Sequence, residues 1–188
     1  MKTVNVCDFF SSPIGLGHVT RDIAIVSNFE NISVNFVTGS GAAKILKKLD
    51  YKLEDVYSPP SFIVENGILN NQNKWLWNYF QYYKKCKKIS EKIIKKNNSN
   101  LIISDEDFAS LTVAQNLKIP NILITDVLET KFTKGIASFI ERKMNKSMMK
   151  IIKNCNLVII PEEGDDQDNI RRTGPIVRET NLSREELR

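Results

Sequence analysis

The fold is decided by the stretch Phe9-Phe10-Ser11-Ser12-Pro13-Ile14-Gly15-Leu16-Gly17-His18-Val19-Thr20-Arg21-Asp22. A short apolar run, Val4–Phe9, leads into it, and a helix-like segment, His18–Asn28, leads out of it. A strand, a glycine-containing turn and a helix in this order open an α/β sheet, in which ligands bind at the C-terminal ends of the strands. The turn around Gly15 and Gly17 is therefore the first place to look for a site.

The same alternation continues along the chain. Strands are predicted at Val4–Phe9, Ser33–Val37, Leu53–Val56, Leu101–Ile103, Ile122–Ile124 and Leu157–Ile160, with one more short strand at Ile170–Thr173. Helices are predicted at His18–Asn28, Ala42–Leu49, Lys74–Lys96, Phe108–Asn116 and Thr133–Lys153. Continuous β-branched runs are typical of strands buried on both faces. The pattern predicts a doubly wound, Rossmann-like parallel sheet of about six to seven strands in a single domain.

The composition narrows the class of protein. The 188 residues carry 27 Lys and Arg against 22 Asp and Glu, a mildly basic balance that does not indicate nucleic-acid binding. Cys7, Cys86 and Cys155 are far apart and have no metal-site spacing, so we expect no zinc site and a reducing, cytoplasmic setting. No apolar run approaches the roughly 18 residues of a membrane span.

The turn contains the only histidine of the chain, His18. A dinucleotide site is the obvious rival interpretation, because Gly15 and Gly17 let the backbone approach a ligand closely. However, Thr20 stands where the G-x-G-x-x-G fingerprint needs a small third residue, and the second strand ends without the carboxylate that binds a ribose. A polar residue at a helix start also serves for capping alone. The helix dipole there favours the neutral imidazole, which can act as a base.

A second polar cluster, Ser104-Asp105-Glu106-Asp107, follows the fourth predicted strand. Capping of the next helix explains one or two of its carboxylates but not three. The first and fourth strands of a doubly wound sheet lie near its switch point, so Asp105 is predicted to reach His18. An Asp–His pair orients the imidazole and stabilises its protonated form while it removes a hydroxyl proton.

With these residues in place, the chain resembles a known family. The run Gly15-Leu16-Gly17-His18-Val19-Thr20-Arg21, followed by Asp22-Ile23-Ala24-Ile25, resembles the first loop and helix of GT-B glycosyltransferases. These include the natural-product and UDP-glucuronosyl type enzymes and the bacterial peptidoglycan N-acetylglucosaminyltransferase. The run Thr173-Gly174-Pro175-Ile176-Val177-Arg178 resembles the segment by which their N-terminal domain crosses to the C-terminal one.

The resemblance implies a function and a division of the chain. It implies the acceptor-side half of an inverting enzyme that transfers a hexosyl group from a nucleotide sugar, a UDP-sugar by expectation, without a metal or other cofactor. Residues 1–173 would be the acceptor-binding domain, and residues 174–188 a linker toward a C-terminal nucleotide-sugar-binding domain or subunit. The tail Leu182–Arg188 has the pattern of a helix that has just begun, which fits this division.

The resemblance also implies site residues. His18 would be the base and Asp105 its partner. In some members of the family the equivalent histidine is not the base. Contacts to the substrate are expected from the turn, at Ser12, Ile14, Gly15, Leu16, Gly17 and Thr20.

The predicted third helix is basic and aromatic. Its core stripe is predicted to consist of Leu76, Tyr79, Phe80, Tyr83, Cys86, Ile89 and Ile93. Another face carries Trp77, Lys84 and Lys88, which fits either an ordinary solvated surface or peripheral contact with an anionic membrane at the cytoplasmic side. The latter would suit a lipid-linked acceptor.

Two other functions stay open from the sequence. One is a non-catalytic Rossmann-like module that recruits a sugar, a lipid or a partner protein. The other is a nucleotide-dependent α/β enzyme of a different class, such as a sugar epimerase.

Overall fold

The computed structural model describes residues 6–61, 64–65, 68–69, 71–131 and 136–177, so the tail beyond residue 177 lies outside the described residues. Its strands are β1 (Val6–Ser11), β2 (Ser33–Thr38), β3 (Leu53–Asp55), β4 (Val64–Glu65), β5 (Ile68–Leu69), β6 (Leu101–Asp105), β7 (Asn121–Ile124), β8 (Leu157–Ile160) and β9 (Ile170–Arg172). Its helices are α1 (Leu16–Val26), α2 (Ser40–Lys48), α3 (Gln72–Asn97), α4 (Phe108–Asn116) and α5 (Ile136–Lys153).

Seven of the described strands form one sheet in the order β3-β2-β1-β6-β7-β8-β9, and every pair in it is parallel. The predicted doubly wound sheet is therefore confirmed, including the short strand β9. The chain proceeds outward from β1 in one direction and then returns to begin again at β6, so the switch point lies between these two strands. The site must be sought where β1 and β6 end.

The sheet forms because its central strands are apolar enough to be covered on both faces. Phe9 and Ile103 pack into the core cluster on one side, while Phe10 and Ile102 pack into the cluster on the other. All four side chains are buried. This burial on both faces is what a continuous apolar run predicts.

An acidic side chain of β1 lies within this packing. The Asp8 carboxylate on β1 is fully buried and accepts hydrogen bonds from the Asn35 amide, the Asn97 amide and the Ser99 hydroxyl, at 3.0, 2.8 and 2.6 Å. The three donors come from β2 and from the end of α3, so this carboxylate joins three segments. Its partners satisfy it, as a buried charge requires.

The antiparallel pair β4–β5 lies between β3 and α3, and α3 begins at Gln72, two residues before the predicted start at Lys74. The predicted core stripe of α3 is correct for Leu76, Cys86 and Ile93, which are buried. It is wrong for Phe80, whose side chain is 47% exposed. The cysteines of the chain, Cys7, Cys86 and Cys155, are all buried and unpaired.

Candidate active site

The first and fourth predicted strands end side by side, as the switch-point argument requires. Ser11 at the end of β1 lies opposite Asp105 at the end of β6, and the Ser12 amide donates to the Asp105 carbonyl oxygen at 3.0 Å. The turn after β1 and the acidic cluster after β6 therefore meet at the edge where doubly wound sheets bind ligands.

Gly15 shapes the turn that delivers the histidine. It precedes α1 with a φ of 83°, in the left-handed region that favours glycine. The helix begins at Leu16, so His18 lies in its first turn. The backbone conformation at Gly15 thus sets where α1 begins and, with it, the position of the His18 imidazole.

His18 and Asp105 form the predicted pair. The imidazole Nδ1 lies 3.0 Å from Asp105 Oδ1, and the Asp105 side chain is fully buried, while that of His18 is 17% exposed. On the other side of the ring, Nε2 lies 3.7 Å from Oε2 of Glu106. The imidazole is thus flanked by two carboxylates.

These carboxylates set the protonation of the ring. The hydrogen bond with Asp105 raises the pKa of His18, and the charges of Asp105 and Glu106 add to it, whereas burial and the nearby Arg21 oppose it. The helix dipole led us to expect a ring that stays neutral. The structure instead favours the imidazolium more than in water, because the two carboxylates outweigh the helix start.

The three carboxylates after β6 divide their roles. Asp107 caps α4, accepting from the amides of Ala109 and Ser110, and also accepts a hydrogen bond from Tyr57 at 2.7 Å. Asp105 and Glu106 are the two carboxylates that flank the His18 imidazole. Glu106 adopts a φ of 57°, a conformation that non-glycine residues rarely take. Capping therefore accounts for one carboxylate of the three.

Arg21 belongs to the site, and the sequence argument did not single it out as a site residue. Its Nε and Nη2 donate to Asp105 Oδ2 and Oδ1 at 3.0 and 2.7 Å, and its Nη1 donates to Asp126, which follows β7. Its Nη2 also lies 3.1 Å from His18 Nδ1. The signal was available, because residues three apart on a helix share a face.

A further acid lies beneath this group. Asp22 is fully buried; its Oδ2 accepts from the Ser11 hydroxyl, and its Oδ1 has no hydrogen-bond partner among the described residues. Burial and the nearby charge of Asp105 raise the pKa of Asp22 well above its ordinary range. Burial thus favours the protonated form of Asp22, whereas the hydrogen bonds from His18 and Arg21 favour the ionised form of Asp105.

A cleft of about 340 Å³ opens beside His18. Its lining residues are Gly15, Gly17, His18, Arg21, Asp126, Pro161, Pro175 and Ile176. No side chain comes within 4 Å of the position where a Cβ of Gly17 would lie, so this glycine leaves open space at the cleft. Pro175 and Ile176 belong to the segment that the sequence predicts as a linker.

The other turn residues predicted to touch substrate do not line this cleft. Ser12 is buried, and its hydroxyl accepts from the Ile14 amide at 3.4 Å. Thr20 donates its hydroxyl to the carbonyls of Leu16 and Gly17 in its own helix. Ser12 and Thr20 therefore have local partners, while the side chain of Leu16 is exposed.

A metal has no evident place at this edge. Among residues 6–61, 64–65, 68–69, 71–131 and 136–177, no group of three or more His, Cys, Asp and Glu side chains is arranged to hold an ion.

The sequence matches no protein-family model and no curated protein, but the fold has clear relatives among solved structures. The glycosyltransferase of kitacinnamycin is 11% identical, with a TM-score of 0.62 over 96% of this chain and 54% of its own. UGT2 of Phytolacca americana, solved with UDP-2-fluoro-glucose and pterostilbene, is 12% identical, with a TM-score of 0.60 over 96% of this chain and 56% of its own.

A third relative belongs to a different class. A UDP-N-acetylglucosamine 2-epimerase assigned in Listeria monocytogenes is 11% identical, with a TM-score of 0.55 over 85% of this chain and 39% of its own. The chain thus has the fold of one domain of a GT-B glycosyltransferase and spans about half the length of such proteins. The fold predicted from the resemblance is confirmed.

Proposed function

We propose that this chain is the acceptor-side domain of an inverting, sugar-nucleotide-dependent glycosyltransferase, with His18 as the base. The observation that carries the proposal is the hydrogen bond of His18 with the buried Asp105 at the switch point, beside an open cleft. An imidazole in contact with a buried carboxylate is the arrangement that activates a hydroxyl group.

The chemistry follows from the two ring nitrogens. When Nδ1–H of His18 donates to Asp105, the lone pair of Nε2 is free to take the proton of an acceptor hydroxyl. The hydroxyl oxygen attacks the anomeric carbon of the donor, and the bond from that carbon to the nucleoside diphosphate breaks with its electron pair leaving on the diphosphate. General base catalysis of this kind contributes roughly 10²- to 10⁴-fold to a rate.

The donor site is assigned to a second domain or subunit. The relatives are longer than this chain, which spans 39–56% of their length, and one of them was solved with a UDP-sugar analogue. Here the donor would be a UDP-sugar carrying a hexosyl group, and no metal or other cofactor is needed for its transfer. Gly15 and Gly17 line the cleft and are the foremost acceptor contacts, with Ser12, Ile14, Leu16 and Thr20 supporting the turn.

An epimerase is the second candidate, because one relative with this fold is assigned that activity. A 2-epimerase inverts the configuration at C2 of the sugar in a nucleotide sugar and needs no acceptor. A non-catalytic binding module is the remaining alternative. The three differ in what happens to a UDP-sugar given to the assembled protein.

The test uses this chain together with its nucleotide-binding half, encoded in the same reading frame or supplied as a partner subunit. With UDP-hexoses and a panel of hydroxyl acceptors, we expect UDP release that depends on the acceptor. His18→Ala should lower the rate at least 100-fold without loss of fold, while Arg142→Ala on the outer face of α5 serves as the matched control.

Two outcomes contradict the proposal. Conversion of UDP-N-acetylglucosamine to its 2-epimer without acceptor, followed by proton NMR, would favour the epimerase. UDP release by His18→Ala at the rate of the unaltered protein would remove His18 as the base.

A second surface suits contact with a membrane that would carry a lipid-linked acceptor. An apolar groove of about 470 Å³ runs between α3 and α5, with the exposed side chains of Trp77, Phe80 and Ile140 along it. Lys84 lies 4.3 Å from the centre of the Phe80 ring, and Lys88 is exposed one turn further along α3. Aromatic side chains beside lysines suit the interface of an anionic membrane, which fits a lipid-linked acceptor.

A further inference from the structure

Arg21 contacts three other side chains of the candidate site. It bonds both oxygens of Asp105 and one oxygen of Asp126, and its Nη2 lies 3.1 Å from His18 Nδ1. Its side chain is only 11% exposed. A planar guanidinium that bonds a buried carboxylate through two nitrogens fixes both the charge and the direction of that carboxylate.

Arg21 and His18 meet at one oxygen atom. Asp105 Oδ1 is 2.7 Å from Arg21 Nη2 and 3.0 Å from His18 Nδ1. Arg21 can only donate, so Oδ1 accepts from both when the imidazole carries its proton on Nδ1. The contact with Asp105 favours this tautomer, which leaves Nε2 free, whereas Arg21 Nη2, 3.1 Å from Nδ1, can only donate and favours the other one. Because both contacts meet at Oδ1, the negative charge of Asp105 is shared between a permanent cation and the imidazole.

We propose that Arg21 is a positioning residue of this site: it aims the Asp105 carboxylate at His18 Nδ1 and shares its charge, so that His18 is oriented as a base yet still releases the proton it takes. This inference rests on the proposed role of His18. An Asp–His pair alone would bind the proton more tightly, and a base that keeps its proton cannot act in the next turnover.

The charges around His18 are consistent with this role. Asp105 and Glu106 face the ring from the end of β6, Arg21 faces it from α1, and Asp126 neutralises the far side of the guanidinium. Asp22 lies beneath Asp105, and burial raises its pKa. Burial works against ionisation of Asp105, but the hydrogen bonds from His18 and Arg21 hold its pKa below the ordinary range. Arg21 also lowers the pKa of His18, against the two carboxylates.

The test is a titration of His18 in this chain by ¹H–¹⁵N NMR, with neither donor nor acceptor present. His18 is the only histidine, so its signals need no assignment. We expect neutral His18 to carry its proton on Nδ1. In Arg21→Gln the pKa of His18 should rise, and adding free guanidinium ion to Arg21→Ala should bring it back toward the original value. Arg142→Gln should leave it unchanged.

Arg21→Lys keeps a positive charge but loses the planar guanidinium, so we expect a smaller rise in the pKa of His18. This variant is the test if Arg21→Gln does not fold. If Arg21 aimed the carboxylate without sharing its charge, Asp105 would turn away in the variant and the pKa of His18 would fall; if Arg21 only braced the strands, the pKa would not change. A value at or below that of the unaltered chain, in a folded variant, would overturn the proposal. Because no sugar is transferred in this measurement, its result is independent of whether the assembled protein is a transferase.

Discussion

At the scale of single residues, the two carboxylates that flank His18 should be measurable as separate contributions. Asp105→Asn removes the strongest partner, so the pKa of His18 should fall, and Glu106→Gln should lower it by a smaller amount. The same NMR titration checks both variants, with Glu91→Gln on the outer face of α3 as the control. Equal values in all variants would show that the imidazole is not governed by these contacts.

The same contacts make stability depend on pH, with a definite sign. The folded chain binds the His18 proton more tightly than the unfolded chain does, so this group adds stability that is complete below its ordinary pKa, near 6.5. The contribution is lost as the pH rises through the raised value of the folded state. Urea unfolding across this window should show a slope in the unaltered chain that is smaller in His18→Gln.

The pairing of His18 with Asp105 was predictable because it depends only on which strands are neighbours at the switch point. The place of Glu106 was not, because its left-handed φ of 57° is a local conformation that residue order does not reveal. Arg21 was within reach of prediction from its spacing to His18, but the resemblance drew attention to the histidine and its carboxylate. Contacts between strand ends are therefore easier to foresee than the direction of a side chain in a turn.

At the scale of secondary-structure elements, two glycines at the ligand edge should respond oppositely to the same change. A Cβ on Gly39, between β2 and α2, would lie 1.8 Å from the carbonyl oxygen of Tyr57, so Gly39→Ala should cost about 2–3 kcal/mol. Gly39 has an extended backbone, with a φ of −170°, so the cause is this close approach alone.

Gly17 provides the comparison for Gly39. It lies inside α1, and nothing lies within 4 Å of its hypothetical Cβ, so Gly17→Ala should stabilise the chain by up to about 1 kcal/mol. Urea unfolding of both variants measures the difference. If Gly39→Ala were as stable as Gly17→Ala, the contact between Gly39 and Tyr57 would not exist in solution.

Helix α3 contains one residue whose exposure differs from what the sequence periodicity predicts. The 3.6-residue pattern assigned Phe80 to the core, yet α3 has 26 residues and α4, which packs beside it, has only 9. The shorter helix cannot cover the longer one along its whole length. Phe80 therefore lies at the open groove between α3 and α5, although its position in the pattern equals that of buried residues. Periodicity predicts which face is apolar, but not what covers it.

At the scale of the whole molecule, the order of the sheet followed from the alternation of strands and helices, while the outer surface did not. No helix among the described residues is long and apolar enough to cross a bilayer. The candidate surface joins Trp77, 63% exposed on α3, and Ile140, 42% exposed on α5, which line one groove. Lys84 lies 4.3 Å from the centre of the Phe80 ring in the same groove wall. Apolar and cationic side chains on one face would act together.

Vesicle binding tests this surface. At low salt we expect the chain to sediment with anionic vesicles and not with zwitterionic ones, and binding should weaken as salt screens the lysines. Each lysine near such a surface contributes about 1 kcal/mol, so the double change Lys84→Gln and Lys88→Gln should lower binding roughly 30-fold. Trp77→Gln should weaken binding at every salt concentration, because its contribution is apolar.

The matched control is the double change Lys47→Gln and Lys48→Gln at the end of α2, which removes the same net charge from another exposed place. If binding came from the overall positive charge of the chain, both double variants would lose it equally. A loss confined to Lys84 and Lys88 would place the contact on α3, because only a local surface distinguishes two equal changes in charge. If the chain did not bind anionic vesicles at low salt, the proposed membrane contact would be wrong. The groove would then be a candidate binding place for the acceptor alone.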